Sequence, residues 1–230
     1  MKSYIHKIYS RFTFDFATKE DLTDVKNALY DQVAGLFQIQ NAMKGEPVLR
    51  PMRGWAISPD AMAWVLADLQ GRDSPKVIEF GSGQSTVILA AALRHCGGRL
   101  ISVEHDPEYS SIIQKQVAAC GLSSNVEFIH SSLIAGTMTP SDTSYDLSVI
   151  PNCNVDIALI DGPPCFNGPL TRLTPLRWAA KRLAPKGAIF LDDSNRRSEQ
   201  SCIEMLKHEF SELQVIPRAA EKGLTELRND

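Results

Sequence analysis

Three aspartates follow two apolar segments in the second half of the chain. Asp161 comes directly after the apolar run 155–160, and Asp192 and Asp193 follow the run 188–191. If these runs are neighbouring parallel strands, their carboxyl ends meet at one edge of a sheet and bring the three carboxylates together. Like charges at close range disfavour ionisation unless a cation offsets them. The sequence therefore predicts a divalent-cation site or a proton-accepting site at this edge.

An arginine is the alternative source of compensating charge. Arg196 and Arg197 lie close to this edge in sequence, and one of them is expected to form a structural ion pair with Asp161 or to meet an acidic substrate. Arg172 falls on the helix predicted near 169–183, where most basic side chains form a solvated face. In a site without metal, Asp161 alone acts as the general base, with a pKa raised by burial.

A glycine-rich turn precedes these aspartates. The apolar run 77–80 leads into Gly81 and Gly83, and glycine permits backbone conformations and close ligand approach that other residues do not. Ser85 and Thr86 suit a helix start, whose free N–H groups favour electron-rich ligand groups. A dinucleotide-binding fingerprint requires a third glycine at the position of Thr86. The turn therefore predicts a ligand-binding loop but argues against a nicotinamide dinucleotide.

An acidic residue follows the next apolar strand at an informative distance. Glu104 ends the segment 100–104 and lies 21 positions beyond Gly83, about the spacing of an acid that binds a ribose. A carboxylate at the end of the second strand can accept hydrogen bonds from both ribose hydroxyls. The loop and the acid together predict a nucleoside-containing ligand.

Three segments carry a resemblance to a known family. They are E-F-G-S-G at 79–83, S-V-E-H-D at 102–106 and A-L-I-D-G-P-P at 158–164. In this order and at these intervals they resemble the class I S-adenosylmethionine-dependent methyltransferases, over about residues 55–227. The resemblance implies S-adenosylmethionine as cofactor, bound by Glu79, Gly81, Gly83, Ser85, Thr86, Glu104, His105, Ser132 and Asp161.

The resemblance also implies particular roles. Glu79 would hold the amino end of the cofactor, and Ser132 stands where many relatives have an acid that meets the adenine amine. In the metal-dependent O-methyltransferases, Asp161, Asp192 and Asp193 would hold an ion such as Mg²⁺. That ion would bind two neighbouring substrate oxygens and lower the pKa of one of them. The implied activity is methyl transfer to a hydroxyl of a small molecule or a sugar-type substrate.

The elements that position these residues alternate along the chain between apolar strands and helix-period segments. This alternation predicts an α/β fold with a doubly wound, seven-stranded, mostly parallel sheet covered on both faces. Two short apolar segments, 213–216 and 223–227, predict an antiparallel hairpin at the carboxyl end. A reversed last strand agrees with the methyltransferase resemblance.

The amino-terminal region is expected to be a helical appendage over residues 1–50, followed by the methyltransferase domain over 51–230. Residues 1–17 show no clear period, whereas 18–45 has apolar residues at helical spacing. The stripe formed by Leu22, Leu29 and Leu36 is expected to dock on its own domain or on a second copy of the chain.

Composition limits the classes of partner. A net charge of −3 and a pI near 6.0 give no basic surface of the kind that nucleic-acid binding requires. The five scattered cysteines and the lack of a long apolar stretch predict a cytoplasmic protein that neither spans nor binds a membrane. The alternative to an enzyme is a catalytically silent domain that keeps the fold for binding or assembly.

Overall fold

The computed structural model describes residues 19–44, 51–135, 142–164 and 168–229. The helices in these ranges are α1 (Lys19–Ala42), α2 (Pro59–Leu69), α3 (Gln84–Cys96), α4 (Pro107–Ala119), α5 (Leu173–Ala180) and α6 (Arg197–Glu209). The strands are β1 (Lys76–Phe80), β2 (Arg99–Glu104), β3 (Val126–His130), β4 (Leu133–Ala135), β5 (Thr143–Tyr145), β6 (Val155–Ile160), β7 (Leu183–Asp192), β8 (Gln214–Arg218) and β9 (Leu224–Arg228).

The main sheet has seven strands in the order β3-β2-β1-β6-β7-β9-β8. The strands from β3 to β7 pair in parallel, whereas β9 runs antiparallel to both of its neighbours. The predicted seven-stranded, mostly parallel sheet and its antiparallel hairpin are therefore confirmed. The chain leaves β1 in one direction and returns to β6 on its other side, so the strand order reverses between β1 and β6. Ligands of such sheets bind at this reversal, outside the carboxyl ends of the strands.

Alternation along the central strands explains why helices cover both faces. Val77 packs into one core with α2 and α3, while the adjacent Ile78 packs into a second core with α5 and α6. The same alternation occurs at Leu100 and Ile101. Burial of both faces is typical of parallel sheets, and it holds the strand ends rigidly in place.

Helix α1 packs on the domain through its carboxyl-terminal end. Ile39 and Met43 are fully buried, and Gly35 lies so close to Pro59 that a Cβ would overlap the backbone there. Leu22, Leu29 and Leu36 are 61%, 63% and 46% exposed within the chain. The expectation that this stripe docks on its own domain is therefore wrong, because the fully buried side chains lie beyond the stripe, at Ile39 and Met43. Self-association through α1 stays a prediction.

Some boundaries and elements differ from the sequence-based expectation. Helix α6, the two-stranded sheet of β4 and β5, and the first half of β7 have no counterpart in the prediction. Helix α5 is shorter than the predicted 169–183. The ends of the predicted helix 18–45 and the predicted domain boundary at residue 50 lie outside the described residues.

Among the helices of the described ranges, none has the length and apolar character needed to cross a membrane.

Candidate functional site

Strand register brings the predicted residues to one edge. Phe80 pairs with Val103 and with Ile160, and Ile160 pairs with Leu191. The residues that follow these positions therefore stand side by side at the carboxyl ends of β1, β2, β6 and β7. They are Gly81, Glu104, Asp161 and Asp192.

Gly81 and Gly162 touch through their backbones at the reversal point. Gly81 has φ of 100°, and a Cβ there would lie 3.0 Å from the Gly162 nitrogen. A Cβ on Gly162 would overlap the hydroxyl of Tyr145 and lie 3.0 Å from the Gly81 Cα. Both positions therefore require glycine, for conformation at 81 and for space at both.

Gly83 differs from the prediction. Its φ of −172° is extended backbone that any residue adopts, and a Cβ there would make only ordinary contacts. Its N–H donates to Thr86 Oγ1 at 2.8 Å, and the Thr86 hydroxyl donates to Glu79 Oε2 at 2.5 Å. Thr86 thus anchors the loop to the strand below it, which is a structural role.

Glu79 lies beneath the loop, fully buried. Its Oε2 also accepts a hydrogen bond from Ser102 Oγ at 2.9 Å. Burial raises the pKa of Glu79 to about 7, against the hydrogen bonds of the neighbouring hydroxyls. Glu79 is not among the described residues that line the cavity, so its contact with the amino end of a cofactor stays a prediction.

Glu104 is buried at the end of β2 and organises the adjacent main chain. Its Oε2 accepts from the Ser82 N–H at 3.0 Å, and its Oε1 accepts from the N–H groups of His105 and Asp106 at 2.7 and 2.9 Å. The His105 Nδ1 lies 2.7 Å from the same Oε1, and this interaction raises the pKa of His105. Since each carboxylate oxygen has two lone pairs, Oε2 keeps capacity for a ligand hydroxyl.

A cavity of about 350 Å³ opens between the glycine loop and the ends of β2 and β6. Among the predicted cofactor residues, it is lined by Gly81, Gly83, Ser85, Glu104, His105 and Asp161. Thr86 and Ser132 are not among its described lining residues, and Ser132 is exposed. The adenine contact predicted for Ser132 therefore gains no support from its position.

Tyr145 and Trp55 line the same cavity, although the sequence patterns single out neither. Tyr145 is 1% exposed, and within the described chain its hydroxyl has no hydrogen-bond partner. Burial raises the pKa of Tyr145 well above its usual value, so the hydroxyl stays protonated. An unpaired buried hydroxyl is costly, which makes Tyr145 a candidate hydrogen-bonding group for a ligand in this cavity.

The three aspartates converge as predicted. One oxygen from each of Asp161, Asp192 and Asp193 lies within 4.8 Å of the others. Asp192 and Asp193 are buried, whereas Asp161 lines the cavity. Burial, together with the charge of Asp192, raises the pKa of Asp161 well above its usual range, although Arg172 opposes this. A carboxylate with a raised pKa is suited to accept a proton near neutral pH.

Arg172 supplies part of the compensating charge, and the solvated face predicted for it is wrong. It is 3% exposed and immediately precedes α5, which begins at Leu173. Its guanidinium donates to the carbonyl oxygens of Asp161 and Asp192 at 2.8 and 2.9 Å, and to Asp193 Oδ2 at 3.2 Å. Arg172 thus joins the ends of β6 and β7.

Two further cations border the aspartates. Arg196 Nη1 lies 2.8 Å from Asp193 Oδ2, so the predicted arginine pairing is confirmed for Arg196, although the partner is Asp193 and not Asp161. Lys222 comes from the turn between β8 and β9, and its Nζ lies 3.4 Å from Asp192 Oδ2 and from Asp193 Oδ1. Sequence spacing gives no signal for Lys222, because only the hairpin brings it to the site.

The match to a family model fits this geometry. The model, described as a methyltransferase domain, matches residues 78–194, which run from β1 to the carboxyl end of β7 and include the glycine loop, Glu104 and all three aspartates. The chain belongs to the class I S-adenosylmethionine-dependent methyltransferases. No curated protein sequence matches the chain.

Several methyltransferases of known structure have the same fold as this chain. An SAH-bound methyltransferase of Podospora anserina is 13% identical with a TM-score of 0.64, and the alignment covers 94% of this chain and 98% of that chain. A putative rRNA methylase from Clostridium thermocellum is 14% identical with a TM-score of 0.56, covering 74% and 97%. An SAH-bound O-methyltransferase from Bacillus cereus is 17% identical with a TM-score of 0.53, covering 87% and 91%. At these identities the likeness concerns the fold alone.

Glu104→Ala is expected to weaken the binding of S-adenosylhomocysteine by about 1.5–3 kcal/mol, the range for a hydrogen bond to a charged group. Calorimetric titration measures this loss. Glu108→Ala is the control, because Glu108 is exposed in the first turn of α4 and does not line the cavity. Equal affinities for both variants would contradict the role of Glu104.

Proposed function

We propose that this methyltransferase transfers the methyl group of S-adenosylmethionine to a hydroxyl of a small molecule. The observation that carries the proposal is Asp161, a carboxylate with a raised pKa in the wall of the cavity. The net charge of −3 supports a small acceptor over a nucleic acid.

The cavity residues suit the parts of the cofactor. The Gly81 loop and the start of α3 would lie along its methionine part, and Glu104 would accept hydrogen bonds from its ribose hydroxyls. The unpaired Tyr145 hydroxyl offers one further donor in the same cavity. The polar groups that a nucleoside requires are therefore present at the carboxyl ends of the strands.

Asp161 would act as the general base. S-adenosylmethionine supplies a methyl group on a positively charged sulfur. As the acceptor oxygen bonds to the methyl carbon, the carbon–sulfur bond breaks, its electron pair stays on sulfur, and the hydroxyl proton passes to Asp161. The carbonyl of Asp161 is held by Arg172, which fixes the base at the end of β6. Positioned proton transfer of this kind contributes about 10²–10⁴-fold to a rate.

The aspartates also fit a divalent ion. Both carboxylate oxygens of Asp192 and the Oδ1 of Asp193 are buried and accept no well-aligned hydrogen bond from the described residues. Carboxylate oxygens are the ligands that Mg²⁺ prefers, so Asp161, Asp192 and Asp193 would hold it. When bound, the ion would lower the pKa of the acceptor hydroxyl. Lys222 is the competing source of positive charge at the same oxygens.

Dependence on a divalent ion distinguishes the two sources of compensating charge, the ion and Lys222. With an ion, chelation abolishes methyl transfer and Mg²⁺ or Mn²⁺ restores it, and Asp192→Asn weakens Mn²⁺ binding more than S-adenosylhomocysteine binding. Calorimetric titrations with Mn²⁺ and with S-adenosylhomocysteine measure the two affinities. Asp156→Asn is the control, because Asp156 lies at the opposite end of β6, where it accepts from the Lys76 N–H. Methyl transfer that continues in the presence of a chelator would leave Lys222 and Arg172 as the sources of compensating charge.

The activity itself is tested by release of S-adenosylhomocysteine in the presence of a panel of hydroxylated molecules. A turnover that requires both the acceptor and Asp161 supports the proposal. The alternative, a silent domain used for binding or assembly, predicts cofactor binding without release for every acceptor.

A further inference from the structure

A second concave surface lies beside the cofactor cavity, between α1 and the segment 51–59. This groove has a volume of about 750 Å³, within the range of small-molecule sites. Its apolar walls come from Leu29, Val33, Leu36, Pro51, Met52 and Pro59.

The groove adjoins the cofactor cavity. Ala56 lines both the groove and the cofactor cavity. Lys222 also lines the groove, donates to the Ala56 carbonyl at 2.9 Å and lies 3.4 Å from Asp192 and Asp193. Lys222 therefore lies between the groove and the buried carboxylates of Asp192 and Asp193, while Asp161 lines the cofactor cavity.

The groove walls have features of an unfilled binding surface. Leu29, Val33 and Leu36 are 63%, 43% and 46% exposed, although they follow one another along one side of α1. Ser58 is 2% exposed, and the Ser58 hydroxyl and the Gln32 amide have no hydrogen-bond partner within the described ranges. Unpaired buried polar atoms are costly, and an occupant with a polar group would satisfy them.

We propose that this groove holds the methyl acceptor, and that the acceptor is a hydroxylated molecule whose apolar body is larger than a single ring. This inference rests on the proposed methyl transfer to a hydroxyl. The hydroxyl lies at the inner end, beside Ala56 and Lys222, where the groove adjoins the cofactor cavity. The apolar body lies along α1, and a polar substituent meets Ser58 and Gln32. The continuity of the groove with the cofactor cavity favours the acceptor over a second copy of the chain.

Two diols that differ by one fused ring test the groove. Catechol and 2,3-dihydroxynaphthalene present the same pair of hydroxyls to the inner end of the groove, but only the second has a body that extends along α1. With the full chain saturated with S-adenosylhomocysteine, calorimetry is expected to show about tenfold tighter binding of the naphthalene diol, from burial of the added ring.

Two neighbouring residues of α1 provide the variant and its control. Leu36→Asp places a charge in the groove and is expected to reduce the tenfold preference to less than about twofold, with catechol binding unchanged. Phe37→Asp carries the same substitution on a side chain that is 72% exposed and does not line the groove, so the preference persists. S-adenosylhomocysteine binding stays the same in both variants.

The proposal is overturned if the wild-type chain shows no preference for the larger diol, or if both variants change it equally. Light scattering supplies the competing outcome: a mass that falls by half in Leu36→Asp shows that a second copy covers the groove, which also overturns the proposal. If S-adenosylhomocysteine itself fails to bind the wild-type chain, the proposed function fails before the groove is tested.

Discussion

Asp161→Asn is expected to lower the rate of methyl transfer by about 10²–10⁴-fold. Asparagine keeps the shape of the side chain but cannot accept the proton of the acceptor hydroxyl. The binding of S-adenosylhomocysteine, measured by calorimetry, is expected to change by less than about threefold, because the change leaves Glu104 and the glycine loop intact. Asp156→Asn, at the far end of the same strand, is the control and keeps full activity.

The pH dependence gives this prediction a second readout. The folded-state pKa of Asp161 is raised, so the base is protonated and inactive at low pH. The wild-type rate therefore rises as pH increases through that raised pKa and is constant above it. Asp161→Asn is expected to lose this acidic limb. An unchanged rate, or a limb that persists in the variant, would show that another group accepts the proton.

Arg172→Met is expected to lower the free energy of unfolding by about 3–5 kcal/mol, the cost of removing one partner from a buried ion pair. Arg172 holds the carbonyl groups of Asp161 and Asp192 and also lies 3.7 Å from the buried Glu199. Its loss leaves carboxylates and carbonyl oxygens buried without a donor. Chemical denaturation followed by circular dichroism measures the change.

A second arginine of the same region is the matched control. Arg177 on α5 pairs with Glu209 across the surface, with Nε 2.8 Å from Oε2, and pairs of this kind contribute about 0–1 kcal/mol. Arg177→Met is therefore expected to be nearly neutral. Removing Arg172 raises the pKa of the nearby carboxyls further, so its destabilisation should be larger at pH 8 than at pH 5. Equal losses of unfolding free energy for the two substitutions would contradict the inference that Arg172 joins the ends of β6 and β7.

The sheet and the positions of the acidic residues are predictable from sequence because they depend on local patterns. The segments around Gly81, Glu104 and Asp161 each join an apolar strand to the start of a turn, and parallel pairing then aligns their ends. The hairpin of β8 and β9 is predictable for the same reason.

Unlike Arg196, the site residues Arg172, Lys222 and Tyr145 are not predictable in this way. The burial of Arg172 depends on where α5 begins, and sequence patterns locate helix ends poorly. Lys222 reaches Asp192 from 30 positions further along the chain, through a turn that no spacing rule connects to the site. Tyr145 ends a strand of three residues, which is too short to show a period. Tertiary packing alone determines these three positions.

The contact between Gly81 and Gly162 has a consequence for how enzymes of this kind diversify. The distance between the cofactor loop and the Asp161 strand end is set by main chain against main chain, with no side chain between them. Substitutions elsewhere can therefore reshape the surrounding surface without altering the spacing between the glycine loop and Asp161. Helix α1 and the segment 51–59 belong to neither β1 nor β6. If the acceptor lies along α1 as proposed, its preference can change with these outer elements while Gly81 and Gly162 keep the two strand ends at a fixed separation.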